Sequence, residues 1–227
     1  MPLESQAAVI AVVPAAGVGK RMGGHIPKQY LPLQGRPILS HTLSRLLCHP
    51  RIARVIVAIG PEDGYFADLP EAQDPRLTVV TGGQERADSV RLALAEIPQP
   101  DAWALVHDAA RPCLTAGDID RLLAECEAQG AILAMPVRDT MKRADDQQRI
   151  DHTVERAALW HALTPQLFPA QALHHALCEA EQAGAEITDE ASAMERQGWR
   201  PKLVSGRPDN IKVTHPDDLR LAELFLA

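Results

Sequence analysis

The feature that most constrains this chain is the alternation of short apolar runs with longer amphipathic ones. Residues 8–13 (AVIAVV), 54–59 (RVIVAI), 77–80 (LTVV), 103–106 (WALV) and 131–137 (AILAMPV) have the length and apolarity of buried strands. Between them, residues 37–48 carry Leu39, Leu43, Leu46 and Leu47 at helical spacing, and Pro50 ends that helix. Residues 85–97 place Val90, Ala93, Leu94 and Ile97 on one face. Thr115 caps a third helix with Asp118 three residues on, and Ile119, Leu122, Leu123 and Cys126 form its stripe. Strands apolar throughout, alternating with amphipathic helices, imply βαβ units and a parallel sheet covered on both faces. An antiparallel α+β layout would need hairpin turns between neighbouring strands, and the first half of the chain offers none. The fold class is therefore α/β.

The alternation breaks at Arg138. Residues 139–156 (DTMKRADDQQRIDHTVER) are polar and charged, without a helical stripe. Residues 141–144 and 150–154 can pair across the 145–148 turn as a projecting hairpin. A hairpin of this composition has no core of its own, so it is either packed on a second subunit or a solvated excursion. Helical patterning returns at 169–183, closed by Gly184, and at 189–197, closed by Gly198. Residues 202–204 and 210–213 read as short strands, and 216–226 as a terminal helix with Pro in its first turn. The expected organisation is one domain over 1–227 with one arm at about 139–156.

Composition narrows the function classes. Of 227 residues, 46% are hydrophobic and 23% charged, with a mean hydropathy of -0.14, which excludes a disordered chain and a membrane-spanning one. The longest apolar run, 7–13, is far below the ~20 residues a bilayer requires. No basic segment followed by a long apolar one opens the chain, so no signal peptide is expected. Cys48, Cys113, Cys126 and Cys178 are widely spaced with no CxxC pair and read as reduced core residues, placing the protein in the cytoplasm. A net charge of -7 and only 4% aromatics argue against a nucleic-acid partner. Any cluster of cations is then a local feature, and one opens the protein.

Ligands of a parallel sheet bind outside the carboxyl ends of its strands. Three unusual segments fall there: Pro14-Ala-Ala-Gly-Val-Gly-Lys-Arg21, Thr81-Gly-Gly83 and His107-Asp-Ala-Ala-Arg-Pro112. In the first, Ala15, Ala16, Gly17 and Gly19 let backbone N–H groups approach a phosphate chain, and Lys20, Arg21 and Lys28 add charge. The segment is not a Walker A loop, because Gly19-Lys20 is followed by Arg21 and lacks the earlier glycine. It is not a dinucleotide fingerprint either, since Gly17, Gly19 and Gly23 are spaced one residue too widely, and Ile59-Gly60-Pro61 supplies no acid for a ribose. An ordinary glycine-rich turn leaves the three cations unexplained, so the segment reads as a phosphate cradle. Asp108 can orient a metal, a ribose hydroxyl or an arginine, or simply cap a turn. Ser89 can offer its hydroxyl to the same rim or bond back along its helix. His107, His152, His161, His174 and His175 show no metal-ligand spacing, and no Gly-x-Ser-x-Gly elbow occurs.

Taken together, several segments resemble a known family. Residues 12–22 (VVPAAGVGKRM) with Pro27-Lys-Gln-Tyr30 are similar to the nucleotide-binding opening of nucleotidyltransferases that act on sugar or alcohol phosphates. Residues 82–89 (GGQERADS), 106–112 (VHDAARP), 138–140 (RDT), 163–166 (LTPQ), 188–191 (TDEA) and 210–213 (NIKV) narrow the resemblance to the 2-C-methyl-D-erythritol 4-phosphate cytidylyltransferase family. It extends from about Ala8 to the C-terminus and rests on the joint order of the motifs. It implies a Rossmann-like three-layer α/β/α sandwich, a β-arm that embraces a second subunit in a homodimer, and no further enzyme after Ala227. It also implies CTP and the methylerythritol phosphate as substrates, Mg²⁺ as cofactor through ligands the sequence does not name, and release of pyrophosphate.

The resemblance assigns roles as well. Arg21 and Lys28 match the transition-state stabilisers; Arg156 and Lys212 match residues that position the acceptor phosphate. Ala15, Ala16 and Gly17 match the triphosphate cradle, Gly83 and Ser89 the cytosine contacts, and Asp108 and Ala109 the ribose wall. Thr140, Arg156, Arg111 and Thr164 fall on acceptor-binding positions. One departure is Gln84, where the family carries Asp; the change is tolerable if that position meets the base through its backbone. The rival readings are a cytidylyltransferase for another polyol phosphate, such as ribitol 5-phosphate, and a silent nucleotide-binding regulator. The second would tolerate loss of Arg21, Lys28 or Lys212, and all three are present.

Overall fold

Apolar strands cannot be left at a surface, and the chain gathers them into one seven-stranded sheet with helices on each side. The computed structural model describes residues 7–17 and 26–226. In chain order the elements are β1 (Val9–Ala15), β2 (Pro32–Leu33), β3 (Arg36–Pro37), α1 (Ile38–Leu47), β4 (Ile52–Ile59), β5 (Leu77–Thr81), α2 (Arg86–Leu94) and β6 (Trp103–Val106). They continue with α3 (Ala116–Glu125), β7 (Ala131–Pro136), β8 (Met141–Ala144), β9 (Ile150–Val154), β10 (Trp160–Pro169), α4 (Ala170–Gln182), α5 (Glu190–Arg196), β11 (Lys202–Ser205) and α6 (Pro216–Phe225).

The large sheet has the order β11-β7-β10-β6-β1-β4-β5. β1 lies parallel to β4 on one side (Val13↔Val57) and to β6 on the other (Val12↔Val106). The strand order therefore reverses between β1 and β6, where a crevice opens beyond the strand ends. On one face of the sheet Leu39, Leu43 and Leu46 of α1 and Ile119 and Leu122 of α3 share a core with alternate β1 residues. On the other face Val90, Ala93 and Leu94 of α2 and Leu173, Ala176 and Leu177 of α4 pack with the remaining ones. This is the three-layer sandwich, with the helical stripes where the sequence placed them.

Two expectations are corrected. The sheet is mixed, because β10 runs antiparallel to both β6 and β7. Pro165 and a register break between Ala162 and Gln166 interrupt this strand and hide it from pattern reading. Residues 210–213 form no strand; they are held as a loop by Val213 N–H donating to Ala110 C=O (2.8 Å) and by Asn210 Nδ2 donating to Thr164 C=O (2.8 Å). The projecting hairpin is present, with β8 antiparallel to β9 and Gln148 at φ 61° in the turn. Its side chains are exposed apart from the half-buried Val154, and Ile150 is 68% exposed. A small cluster of Leu33, Ile38, Ala110, Val213 and Ala222 ties α6 to the β2–β3 hairpin and fixes the 210–214 loop beneath the crevice.

Candidate active site

The crevice at the switch point is a cleft of about 440 Å³, lined by the ends of β1, β5 and β6 and by the 210–214 loop. Ala15, Ala16 and Gly17 form one wall, Gly83 and Ser89 another, and Asp108 and Ala109 the floor, with Lys28 and Lys212 at the mouth. Seven of the anticipated nucleotide positions and two of the anticipated cations thus meet at one place. Arg21 lies outside the described residues.

Backbone accounting shows how the walls are held. Gln29 is buried and donates through Nε2 to Ala15 C=O (2.7 Å), fixing the end of β1. Lys28 Nζ donates to Val213 C=O (3.2 Å), which ties the opening loop to the C-terminal one. Gly82 and Gly83 are required by space: a Cβ on Gly82 would lie 2.6 Å from Ala16 Cβ, and one on Gly83 would lie 2.3 Å from Asp88 Cβ. Ser89 Oγ accepts from Gly83 N–H (3.1 Å) and donates to Glu85 C=O (3.2 Å). The hydroxyl therefore shapes the loop as well as facing the cleft. What Gly83 still offers a base is its carbonyl, since its N–H is engaged.

Asp108 is only 6% exposed, yet three cations converge on its carboxylate. Arg86 Nε lies 2.9 Å away, Lys212 Nζ 3.0 Å and Arg111 Nε 3.3 Å. Burial alone would raise the Asp108 pKa, but Arg86, Lys212 and Arg111 outweigh it and hold the carboxyl well below the usual range. Arg86 is held in turn by Glu190, 1% exposed, through Nη1 (2.6 Å) and Nη2 (3.1 Å). Beneath the cluster, His107 is fully buried; Nε2–H donates to Arg111 C=O (3.1 Å) and Nδ1 accepts from the Thr164 hydroxyl (2.9 Å). Burial pushes the His107 pKa down to about 4, against the opposing pull of the Arg111 carbonyl and Asp108, so the ring is neutral at pH 7.

Four assignments land elsewhere. Arg111 and Thr164 are buried behind the cleft: Arg111 Nη1 donates to Asn210 C=O (2.7 Å), and the Thr164 hydroxyl accepts from Asp108 N–H (3.1 Å). They brace Asp108 and the 210–214 loop from behind the cleft lining. Thr140 and Arg156 lie on the exposed arm and its base, outside the cleft lining; Arg156 Nη1 donates to Arg138 C=O. Sequence reading missed Gln29, Arg86, Glu190 and Asn210, all of which sit inside motifs already noted. For Arg86 and Glu190 the available signal was a charged side chain inside a motif; Gln29 and Asn210 offered none. Among the described residues no group of three or more His, Cys, Asp or Glu side chains converges as a metal site.

The family model described as "IspD: 2-C-methyl-D-erythritol 4-phosphate cytidylyltransferase" matches residues 9–227. The chain belongs to that family. The 2-C-methyl-D-erythritol 4-phosphate cytidylyltransferase of Shewanella amazonensis is 66% identical over 98% of this chain and 94% of its own length. That of Shewanella oneidensis is 63% identical over 99% and 90%. Among solved structures, a 4-diphosphocytidyl-2C-methyl-D-erythritol synthase matches with a TM-score of 0.85 at 39% identity, covering 98% of this chain and all of that one. The cytidylyltransferase of Francisella tularensis matches with a TM-score of 0.83 at 34% identity over 96% of this chain and all of its own. A cytidylyltransferase family with this fold gives the crevice its meaning as a nucleotide site.

Proposed function

We propose that this protein transfers a cytidylyl group from CTP to 2-C-methyl-D-erythritol 4-phosphate, releasing pyrophosphate, through positioning and charge alone. An oxygen of the acceptor phosphate attacks the α-phosphorus of CTP; the bond from that phosphorus to the bridging oxygen breaks, and pyrophosphate leaves with the electron pair. The acceptor phosphate is ionised at neutral pH, so no general base is needed. What the protein must supply is alignment and neutralisation of negative charge. The observation that carries the reading is the meeting of the backbone wall 15–17, Lys28 and Lys212 at the switch-point cleft of a chain in this family.

In this reading the 15–17 backbone and Lys28 receive the triphosphate, with Arg21 from the same loop. Gly83 and Ser89 meet the base, and Lys212 meets the acceptor phosphate. Among the described residues lining the cleft, Asp108 is the buried carboxylate that would help hold a Mg²⁺ ion bound with the triphosphate. When bound, that ion adds positive charge beside the transferring phosphate. Thr140 and Arg156, on an arm with no core of its own, are read as reaching the acceptor in a second subunit's cleft, which makes the protein a homodimer. Among the described residues no helix is long and apolar enough to cross a membrane, and four free cysteines agree with a cytoplasmic site.

A pyrophosphate-release assay across four nucleoside triphosphates, with methylerythritol phosphate and ribitol 5-phosphate as acceptors, tests the reading. Release is expected with CTP and the methylerythritol phosphate alone. Equal rates with UTP, or with the ribitol phosphate, would overturn it.

A further inference from the structure

At and behind the cleft floor, three cations (Arg86, Arg111 and Lys212) meet two carboxylates, Asp108 in the floor and Glu190 behind it, so the cluster carries one net positive charge. The three cations are not held alike. Arg111 is buried and fixed between Asp108 and Asn210 C=O. Lys212 is 39% exposed at the side chain and touches Asp108 from the cleft side, where an arriving phosphate can draw it off. Arg86 also lines the cleft, on the first turn of α2 directly after the Gly82–Glu85 loop. Yet both of its terminal nitrogens are committed to Glu190 and its Nε to Asp108. Glu190 does not cap α5; Asp189 does that, accepting from Ser192 N–H at 2.9 Å. A carboxylate with 1% exposure is costly to bury, and the contact described for it is this fork.

We infer that Glu190 is a positioning residue that keeps Arg86 out of the phosphate site, so that one cation of the cluster, Lys212, moves to the phosphates rather than two. The inference rests on the functional reading above and deepens it. A guanidinium released into the cleft would bind the triphosphate and the pyrophosphate product in their ground states. Uniform tightening of that kind lowers KM without helping the transition state, and slows product release. Glu190 thereby trades ground-state grip for turnover.

The test is calorimetry with inorganic pyrophosphate, alongside steady-state kinetics, on the unmodified protein and Glu190→Gln. One additional charge-assisted contact is expected to tighten pyrophosphate about tenfold, with the KM for CTP falling and kcat falling with it. Loss of fold would weaken binding or leave KM unchanged, so the direction separates positioning from structure. The double variant Arg86→Gln with Glu190→Gln, which removes the released cation, should return pyrophosphate affinity to at or below its original value. If Glu190→Gln does not fold, Glu190→Asp draws the carboxylate back by one methylene; tightening of roughly two- to threefold would carry the same meaning. Folded variants that bind pyrophosphate no tighter than the unmodified protein overturn this inference alone. An unmodified protein that neither binds pyrophosphate nor releases it from CTP overturns the functional reading and this inference together.

Discussion

Replacing Asp108 by Asn is the sharpest probe of the cleft floor, because the shapes match and only the charge leaves. Three cations within 3.3 Å then face an amide instead of a carboxylate. Removing one partner of a buried ion pair costs about 3–5 kcal/mol. Two of the cations keep other acceptors here, Arg86 with Glu190 and Arg111 with Asn210 C=O, and Lys212 reaches water. The cost should therefore fall at the lower end, about 3 kcal/mol. For a domain of this size that lowers Tm by about 6–12 °C. The sign with pH follows from the depressed folded pKa of Asp108. Its contribution is present above the unfolded carboxyl pKa of about 4 and is lost as pH falls below that value. Thermal unfolding followed by circular dichroism at pH 7, 5 and 3.5 should show the gap between Asp108→Asn and the unmodified protein narrow in acid. A loss under about 1 kcal/mol at pH 7, or a gap that does not change in acid, would refute the picture of a carboxylate held ionised by three cations.

Neutral His107, with its pKa near 4, contributes stability above the unfolded histidine value of 6.5 and loses it as pH falls toward 4. Unfolding free energies from urea titrations should drop across that window by up to about 1.4 kcal/mol per pH unit, and His107→Gln should flatten that slope. Lys28→Ala should keep its circular dichroism spectrum while pyrophosphate release slows by about 10²–10³, since its charge matters most in the transition state; near-normal turnover would remove it from the mechanism. Differently tagged Lys28→Ala and Arg156→Ala proteins, each inactive, should recover activity after subunit exchange, because every mixed dimer contains one site with both residues intact. Purified mixed dimers as inactive as their parents would show that the arm serves its own subunit.

The strands and helices that pattern reading finds are those whose stripe is long and uninterrupted, such as α1 with its four leucines and β1 with its continuous run. β10 escaped because its pairing partners lie far away in sequence and Pro165 interrupts the run. The 210–213 segment looked like a strand because Ile211 and Val213 alternate with polar residues; in the fold they serve the small C-terminal cluster instead. In the site, the glycine and alanine walls and Lys28 were legible because backbone access and loop charge are local properties. The Arg86–Glu190 pair was not, since its members are separated by 104 positions and only the packing of α5 against α4, and α4 against α2, brings them together. Arg111 and Thr164 were singled out by motif position, but their burial behind the cleft lining, and the bracing of Asp108 that it allows, was not legible.

The arm leaves and rejoins the sheet side by side. Pro136 of β7 pairs with Trp160 of β10, and Val137 N–H donates to Leu159 C=O at 2.9 Å, so the chain enters and exits across a single rung. Residues 138–158 thus form a unit the sheet does not need for its register: a short turn in their place would close the gap while β7 and β10 stay paired. Swapping that unit would change what the arm grips and leave its own chain's nucleotide cleft as it is. Thr140 and Arg156 lie within this segment, so under the proposed function exchanging it would also exchange acceptor contacts in a neighbouring subunit's cleft.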